Sequence, residues 1–229
     1  MSWLSLLRRT PRAPVVQAYL DATSAKVRGK TPLDALSFVV LDAETTGFSV
    51  GRDRLLSLAV MPVRAGRLAV AGTRCWLVQQ SAVPLNEAMQ VHGILPSDTA
   101  AGEPEERVLA ELLPTLAGAV LVGHHIGFDI AMLNAALQRH YRVRLRNPVL
   151  DTALMARHAL EAFAATAYPG QQPPSLDEVC ALCGIPVVER HTAEGDTFTT
   201  AELFLVLCAR LQRLRGRPLL ASDLPITRG

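Results

Sequence analysis

Nothing in these 229 residues points to a membrane or to an oxidising compartment. No apolar run reaches the roughly 20 residues that a membrane-spanning helix needs. Residues 1–7, followed at once by Arg8, Arg9 and Pro11, are too short for the apolar region of a signal peptide. A cytoplasmic protein with no membrane partner is therefore expected. Lysine is nearly absent, with only Lys26 and Lys30, so the basic residues are almost all arginine. Guanidinium groups suit phosphate recognition, although genome base composition explains the same bias. A net charge of only +2 provides no strong overall field for a polyanion. Of the four cysteines, only Cys180 and Cys183 form a close pair, with no second pair and no flanking histidine to complete a zinc site. They read as ordinary half-buried thiols on a helix, in keeping with a reducing compartment. Internal repeats and low-complexity tracts are also missing.

What is present fits one large α/β domain, long enough to bury a sizeable core. Residues 38–41, β-branched in the middle, read as a strand buried on both faces. Residues 55–63 and 68–78 read as two more strands, joined by a short hairpin at Arg64-Ala65-Gly66. Three antiparallel strands thus open the domain. Short buried runs at 119–122 and 148–150 supply later strands, with helices between them, which indicates a mixed sheet flanked by helices. Ser175-Leu176-Asp177-Glu178 is a capping box for a helix that Gly184 ends, Asp151 and Thr152 cap another, and the last helix is expected from about Asp196 to Leu214. Residues 1–35 read as an N-terminal helical extension, with Val15, Val16, Tyr19 and Leu20 at helical spacing. Within it, Trp3, Leu4, Leu6 and Leu7 either cover a surface patch or contact a partner. Residues 36–215 form the main domain and 216–229 a short tail.

The first strand runs directly into Asp42-Ala43-Glu44-Thr45-Thr46-Gly47. Side chains alternate along a strand, so Asp42 and Glu44 face the same side. Two like charges so close raise the pKa of one unless cations intervene, and an Asp-x-Glu pair offers the oxygen ligands that hard divalent cations take. Asp129 begins the inward stripe of a helix that continues with Met132, Leu133, Ala136 and Leu137. A carboxylate there is costly unless it is paired, ligating or at the rim of a cleft. Asp196 repeats the pattern, sharing a face with Thr199, Thr200, Leu203, Phe204 and Leu207. His191, five residues before Asp196, cannot share its helical face. It is expected on the preceding loop, with Gly195 giving that loop freedom, so that the two side chains converge from different elements.

Taken with His92-Gly93-Ile94, Gly123-His124-His125-Ile126-Gly127-Phe128-Asp129, Leu150-Asp151-Thr152 and His191-Thr192-Ala193-Glu194-Gly195-Asp196, this series resembles the DEDDh subclass of 3′-to-5′ exonucleases. That family includes the proofreading (epsilon) subunit of bacterial DNA polymerase III. The resemblance covers residues 37–214 and departs at His125, where the family usually has Asn. It implies a ribonuclease H-like α/β fold and two divalent cations, Mg²⁺ or Mn²⁺. Asp42, Glu44 and Asp196 would hold the first, and Asp42 and Asp129 the second. His191 would take the proton of the attacking water, as its ordinary pKa near 6.5 allows. By the same resemblance Thr45, Thr46, Gly47 and Phe48 form a lip against the 3′ end, and His92 lies on a loop bordering the site. His125 is adjacent to substrate, and His124 fits the pattern without an assigned role.

The implied partner is a nucleic acid 3′ end, DNA ahead of RNA, with a polymerase or other protein reached through the N-terminal segment. The short tail leaves little room for such a contact. An exoribonuclease is the alternative within the enzyme class, and a non-catalytic binding module the alternative outside it. Such a module is expected to have lost an acid or the histidine, and all five are present. Arg139, Arg142, Arg144 and Arg146 form a basic cluster that reads either as a phosphate track or as a solvated helix end.

Overall fold

The centre of the sheet is β1 (Ser37–Thr45), hydrogen-bonded on one side to the antiparallel β2 (Leu55–Arg64) and on the other to the parallel β5 (Val120–Gly123). The computed structural model describes residues 12–81, 87–164 and 172–228. Trp3, Leu4, Leu6 and Leu7 lie outside them.

Ala65 and Gly66 both adopt positive φ, the conformation of a tight hairpin turn, and return the chain from β2 into β3 (Arg67–Leu68). The single strand expected over 68–78 is two pieces. Ala69 N–H reaches Pro62 O, a 3₁₀ turn spans Val70–Gly72, and β4 (Arg74–Leu77) then resumes pairing with β2. Pro62 lies opposite the break and has no N–H to continue the ladder. Beyond it, β6 (Pro148–Asp151) pairs parallel with β5. The segment expected to be a tail supplies β7 (Ile226–Arg228), an antiparallel strand on β6, so the order across the sheet is β3-β2-β1-β5-β6-β7.

Side-chain alternation along β1 divides the core. Val39 and Leu41 pack on one face with α1 (Pro14–Ala22), α4 (Glu105–Leu116) and α5 (Gly127–Tyr141). Phe38 and Val40 pack on the other with α6 (Thr152–Ala159), α7 (Leu176–Cys183) and α8 (Ala193–Arg215), where the rings of Phe38 and Phe204 lie 4.9 Å apart. Two short helices, α2 (Glu87–His92) and α3 (Pro96–Ala100), lie between β4 and α4 along the chain. The capping box at Ser175 forms as its sequence requires, and Gly184 closes α7 in the left-handed conformation. Cys180 and Cys183 are free thiols on α7, and burial raises the pKa of Cys180 to about 11. No helix among the described residues is long and apolar enough to cross a membrane.

The first and last described segments both enter this core. α1 buries Val16, Tyr19 and Leu20 against α4. The Tyr19 hydroxyl donates to Asn147 Oδ1 and accepts from Arg146 N–H, while Asn147 Nδ2 donates to the carbonyls of Leu116 and Ala119 at 2.6 and 2.8 Å. Asn147 is completely buried. Just before β1, Leu33 N–H donates to Leu219 O, and in return Ala221 and Ser222 N–H donate to Thr31 and Gly29 O.

Removing the Asn147 amide would take one hydrogen bond each from the Leu116 and Ala119 carbonyls and leave the buried Tyr19 O–H without its acceptor, at about 1–3 kcal/mol for a buried group that loses its partner. Asn147→Ala is therefore expected to lower unfolding free energy by at least about 2 kcal/mol, and Tyr19→Phe by about 1 kcal/mol. Denaturant titration followed by tryptophan fluorescence measures both.

Candidate active site

Strand parity carries from the core to the mouth of the sheet. Asp42 and Glu44 continue the face of Phe38 and Val40, which is the face covered by α8, and Asp196 lies in the first turn of that helix. One carboxylate oxygen from each of these three residues lies within 4.8 Å of the others. Ala43, between the two β1 acids, packs on the opposite core. Its N–H donates to Asp129 Oδ1 at 3.1 Å, so α5 delivers the fourth carboxylate from the other layer. The pairing register between β1 and β2 shifts between Glu44 and Thr45, where the strand leaves the ladder.

These acids are crowded, with Asp129 and Asp196 buried and Asp42 and Glu44 half-buried. Burial, followed by the charges of Asp129, Glu44 and Asp196, drives the Asp42 pKa well above the ordinary carboxylate range. Burial raises Glu44 and Asp129 to about 7 each, and it also raises Asp196. Asp196 Oδ2 receives the His191 N–H and the Arg190 guanidinium. Its Oδ1 is buried without a hydrogen-bond partner among the described residues. An all-oxygen donor set with one buried oxygen unspent fits a hard divalent cation.

The cleft over the acids has a volume of about 240 Å³. Asp42, Glu44, Thr45, Phe48, His92, His125, Asp129, His191 and Asp196 all line it. Thr46 and Gly47 do not. The Thr46 hydroxyl donates to Asp53 Oδ1 and accepts from Arg54 N–H, and a Cβ on Gly47 would stand 2.8 Å from Asp53 Oδ2. Both brace the lip from behind, and Asp53 also accepts from Ser49 N–H. Phe48 is 76% exposed, with its ring 5.9 Å from that of Phe128.

The histidines differ among themselves. His191 is exposed, at positive φ, on the loop before α8. His92 closes α2 and is not on a loop. Its Nδ1 accepts from Ile94 N–H, its Nε2 is buried without a hydrogen-bond partner among the described residues, and burial lowers its pKa. His125 is exposed at φ 56°, a left-handed conformation that Asn and His both tolerate better than most residues, and its N–H donates to Asp151 Oδ1. Asp151 also caps α6 through Ala153 N–H. His124 bonds Thr152 Oγ1 and Pro174 O at 2.9 Å each, and burial lowers its pKa to about 4, which keeps it neutral and structural.

Three features run against the sequence reading or were absent from it. α8 starts at Ala193, three residues before the expected start, with Thr192 as its cap. Gly195 therefore lies inside the helix and does not loosen the loop. A Cβ there would stand 2.4 Å from Glu189 O, so glycine is required for close approach of the loop. Arg190 is the third: a single arginine ahead of a histidine carries no pattern, and its importance appears only once Asp177 and Asp196 are brought beside it. The cluster from Arg139 to Arg146 begins in the last turn of α5, at the opposite end from Asp129, and Arg139 pairs with Glu105.

The raised carboxylate pKa values fix a pH dependence. A group that is protonated in the folded protein up to about pH 7 but ionised in the unfolded chain above about pH 4 makes the folded state hold more protons over that window. Stability in a chelator is therefore expected to fall as pH rises from about 4 to about 7, and a saturating divalent cation to remove much of that slope. Melting curves at a series of pH values, with chelator and with Mg²⁺, would show it.

Known proteins supply the remaining comparison. A DNA polymerase III subunit epsilon-like protein of Rhodobacter capsulatus is 34% identical over 186 residues, covering 80% of this chain and 25% of its own length. The DNA polymerase III subunit epsilon of Aquifex aeolicus is 28% identical over 175 residues, 76% of this chain and 82% of that protein. Among solved structures, E. coli exonuclease I in complex with a dT13 oligonucleotide matches with a TM-score of 0.66 at 20% identity, over 79% of this chain and 43% of its own. That likeness is one of fold. The chain thus spans a quarter of the Rhodobacter relative and under half of exonuclease I. The family model described as Exonuclease (RNase_T) matches residues 39–204, from the first strand to the middle of α8, and the chain belongs to that family.

Proposed function

We propose that the protein is a divalent-metal-dependent 3′-to-5′ exonuclease acting on DNA and releasing nucleoside 5′-monophosphates. The observation that carries this reading is the meeting of three carboxylates from two elements within 4.8 Å, at the floor of a cleft open to solvent. Asp42, Glu44 and Asp196 would hold one Mg²⁺ or Mn²⁺, and Asp42 with Asp129 a second. Such ions supply charge stabilisation at the scissile phosphate and acidify the attacking water.

The chain's own residues divide the remaining work. His191, exposed on a loop beside Asp196, accepts the proton of the attacking water. Asp129 fixes the β1 backbone between the two strand acids through Ala43 N–H, so its role is partly to hold Asp42 and Glu44 in register. Phe48, Phe128 and Val91 give one wall of the cleft an apolar surface on which the terminal base can stack. His92 and His125 stand at the rim within reach of the terminal nucleotide, and Thr45, whose hydroxyl is committed to Gly47 O, offers its backbone. Thr46 and Gly47 act on substrate only by setting the shape of the lip.

DNA is favoured because the relatives carry DNA polymerase III names and the matched exonuclease I was solved with a dT13 oligonucleotide. A polymerase or other protein partner, reached through the N-terminal segment of residues 1–35, belongs to the same reading.

On 3′-end-labelled single-stranded DNA, duplex DNA and RNA with Mg²⁺ or Mn²⁺, the protein should shorten single-stranded DNA fastest and release monophosphates. Asp42→Ala should abolish this, and His191→Ala should lower kcat by about 10²- to 10⁴-fold with little change in melting temperature. Intact strands in every arm would refute the activity. Faster loss of RNA would reassign the substrate.

A further inference from the structure

Arg190 belongs to neither the acid set nor the expected proton acceptor, yet it occupies the point where they meet. Its Nε donates to Asp177 Oδ1 at 2.8 Å, its Nη1 pairs with Asp196 Oδ2, and the same Nη1 lies 3.4 Å from His191 Nδ1. The side chain is 28% exposed, so water screens it only in part. A guanidinium does not lose its proton at any working pH. From the geometry we infer that Arg190 is a resident counter-cation of the acid cluster, one that holds Asp196 in the metal-free protein and weakens divalent binding until substrate arrives. This inference rests on the reading of Asp42, Glu44 and Asp196 as metal ligands.

Asp196 is shared between two cations. Oδ2 is taken by Arg190 and the His191 N–H, whereas Oδ1 is buried and unspent among the described residues. A divalent ion on Oδ1 and the guanidinium on Oδ2 fit together in space, but they place like charges across one carboxylate. The guanidinium also acts beyond Asp196, because one oxygen of that residue lies within 4.8 Å of an oxygen of Asp42 and of Glu44. Ion and guanidinium therefore oppose each other at this cluster, and by reciprocity removing one strengthens the hold of the other. Asp177 tempers the effect from outside. It is exposed on α7 and takes part of the guanidinium's charge, which would otherwise fall on Asp196 alone. A phosphate entering the cleft would offset the guanidinium in the same way, so that ions are gripped firmly only with substrate in place.

Calorimetric titration of the substrate-free protein with Mn²⁺ at pH 8 tests this without any activity readout. Arg190→Gln should bind Mn²⁺ at least about fivefold more tightly than wild type, at the lower end of the range for coupled sites. It should also lose more melting temperature in chelator than in saturating Mn²⁺. Asp177→Asn, a change at an exposed position, should shift affinity the opposite way. A brace with no electrostatic role would cost Arg190→Gln the same melting temperature in both conditions and would leave affinity unchanged or weaker, which overturns the inference. If Arg190→Gln does not fold, Asp177→Asn decides alone: weaker Mn²⁺ binding supports the counter-cation, and unchanged binding removes it. Absence of Mn²⁺ binding by wild type and Arg190→Gln alike would instead bring down the metal reading of the acids, and this inference with it.

Discussion

The crowding of four carboxylates, partly withdrawn from water, at one spot is the constraint around which this molecule is built. Four acids converge on one cleft, and burial pushes each toward its neutral form. Nothing about such a cluster is self-stabilising, so it persists only because each member is attached to an element fixed by something else. β1 is held between β2 and β5, α8 by its long apolar contact with the sheet, and α5 by the stripe from Ile130 to Leu137. The apolar layers determine where the acids are, and the acids determine what the cleft can do.

The two layers reach the cluster by different routes. The β1 acids share one face of the sheet with α8, which is why Asp196 approaches them side chain to side chain. Asp129 arrives from the opposite layer and meets the strand at a backbone N–H. A side chain that grips the backbone between two others controls their spacing as well as adding its own charge, so Asp129 differs in kind from the other three. Polar groups absent from the cleft matter as well: Thr46, Gly47 and Asp53 form a brace behind the lip that holds Phe48 out into solvent.

Much of this was legible in the sequence because it follows from periodicity. A period of two places Asp42 and Glu44 together, and periods of three and four place Asp129 and Asp196 at the inward starts of helices. Caps at Ser175 and Asp151 are local chemistry and read equally well. What escaped depends on contacts between distant segments. Gly195 looked like a source of loop freedom, whereas the carbonyl of Glu189 pressing on it makes it a matter of space. The strand over 68–78 breaks where Pro62 opposes it, and a strand pattern on one segment does not register what its neighbour can donate. Arg190 gained its role only when Asp177 and Asp196 were brought beside it from either side along the chain.

The lacing of residues 29–33 to residues 219–222 has a temporal side. β1 is made early, but the clamp at its entrance is completed by residues nearly two hundred positions later, and its neighbour β5 likewise lies far along the chain. Contacts of such long sequence separation pay their loop-closure cost before they return any stabilisation, and so form late. During synthesis β1 and β2 are made first, and a two-stranded hairpin alone is at best marginally stable, so Asp42 and Glu44 begin on an uncovered strand. Their convergence with Asp196 waits until α8 is made, and the clamp on β1 until the final strand region is made. The cleft is thus among the last parts of the molecule to take shape, and a chain stopped short carries the acids without the enclosure that brings them together.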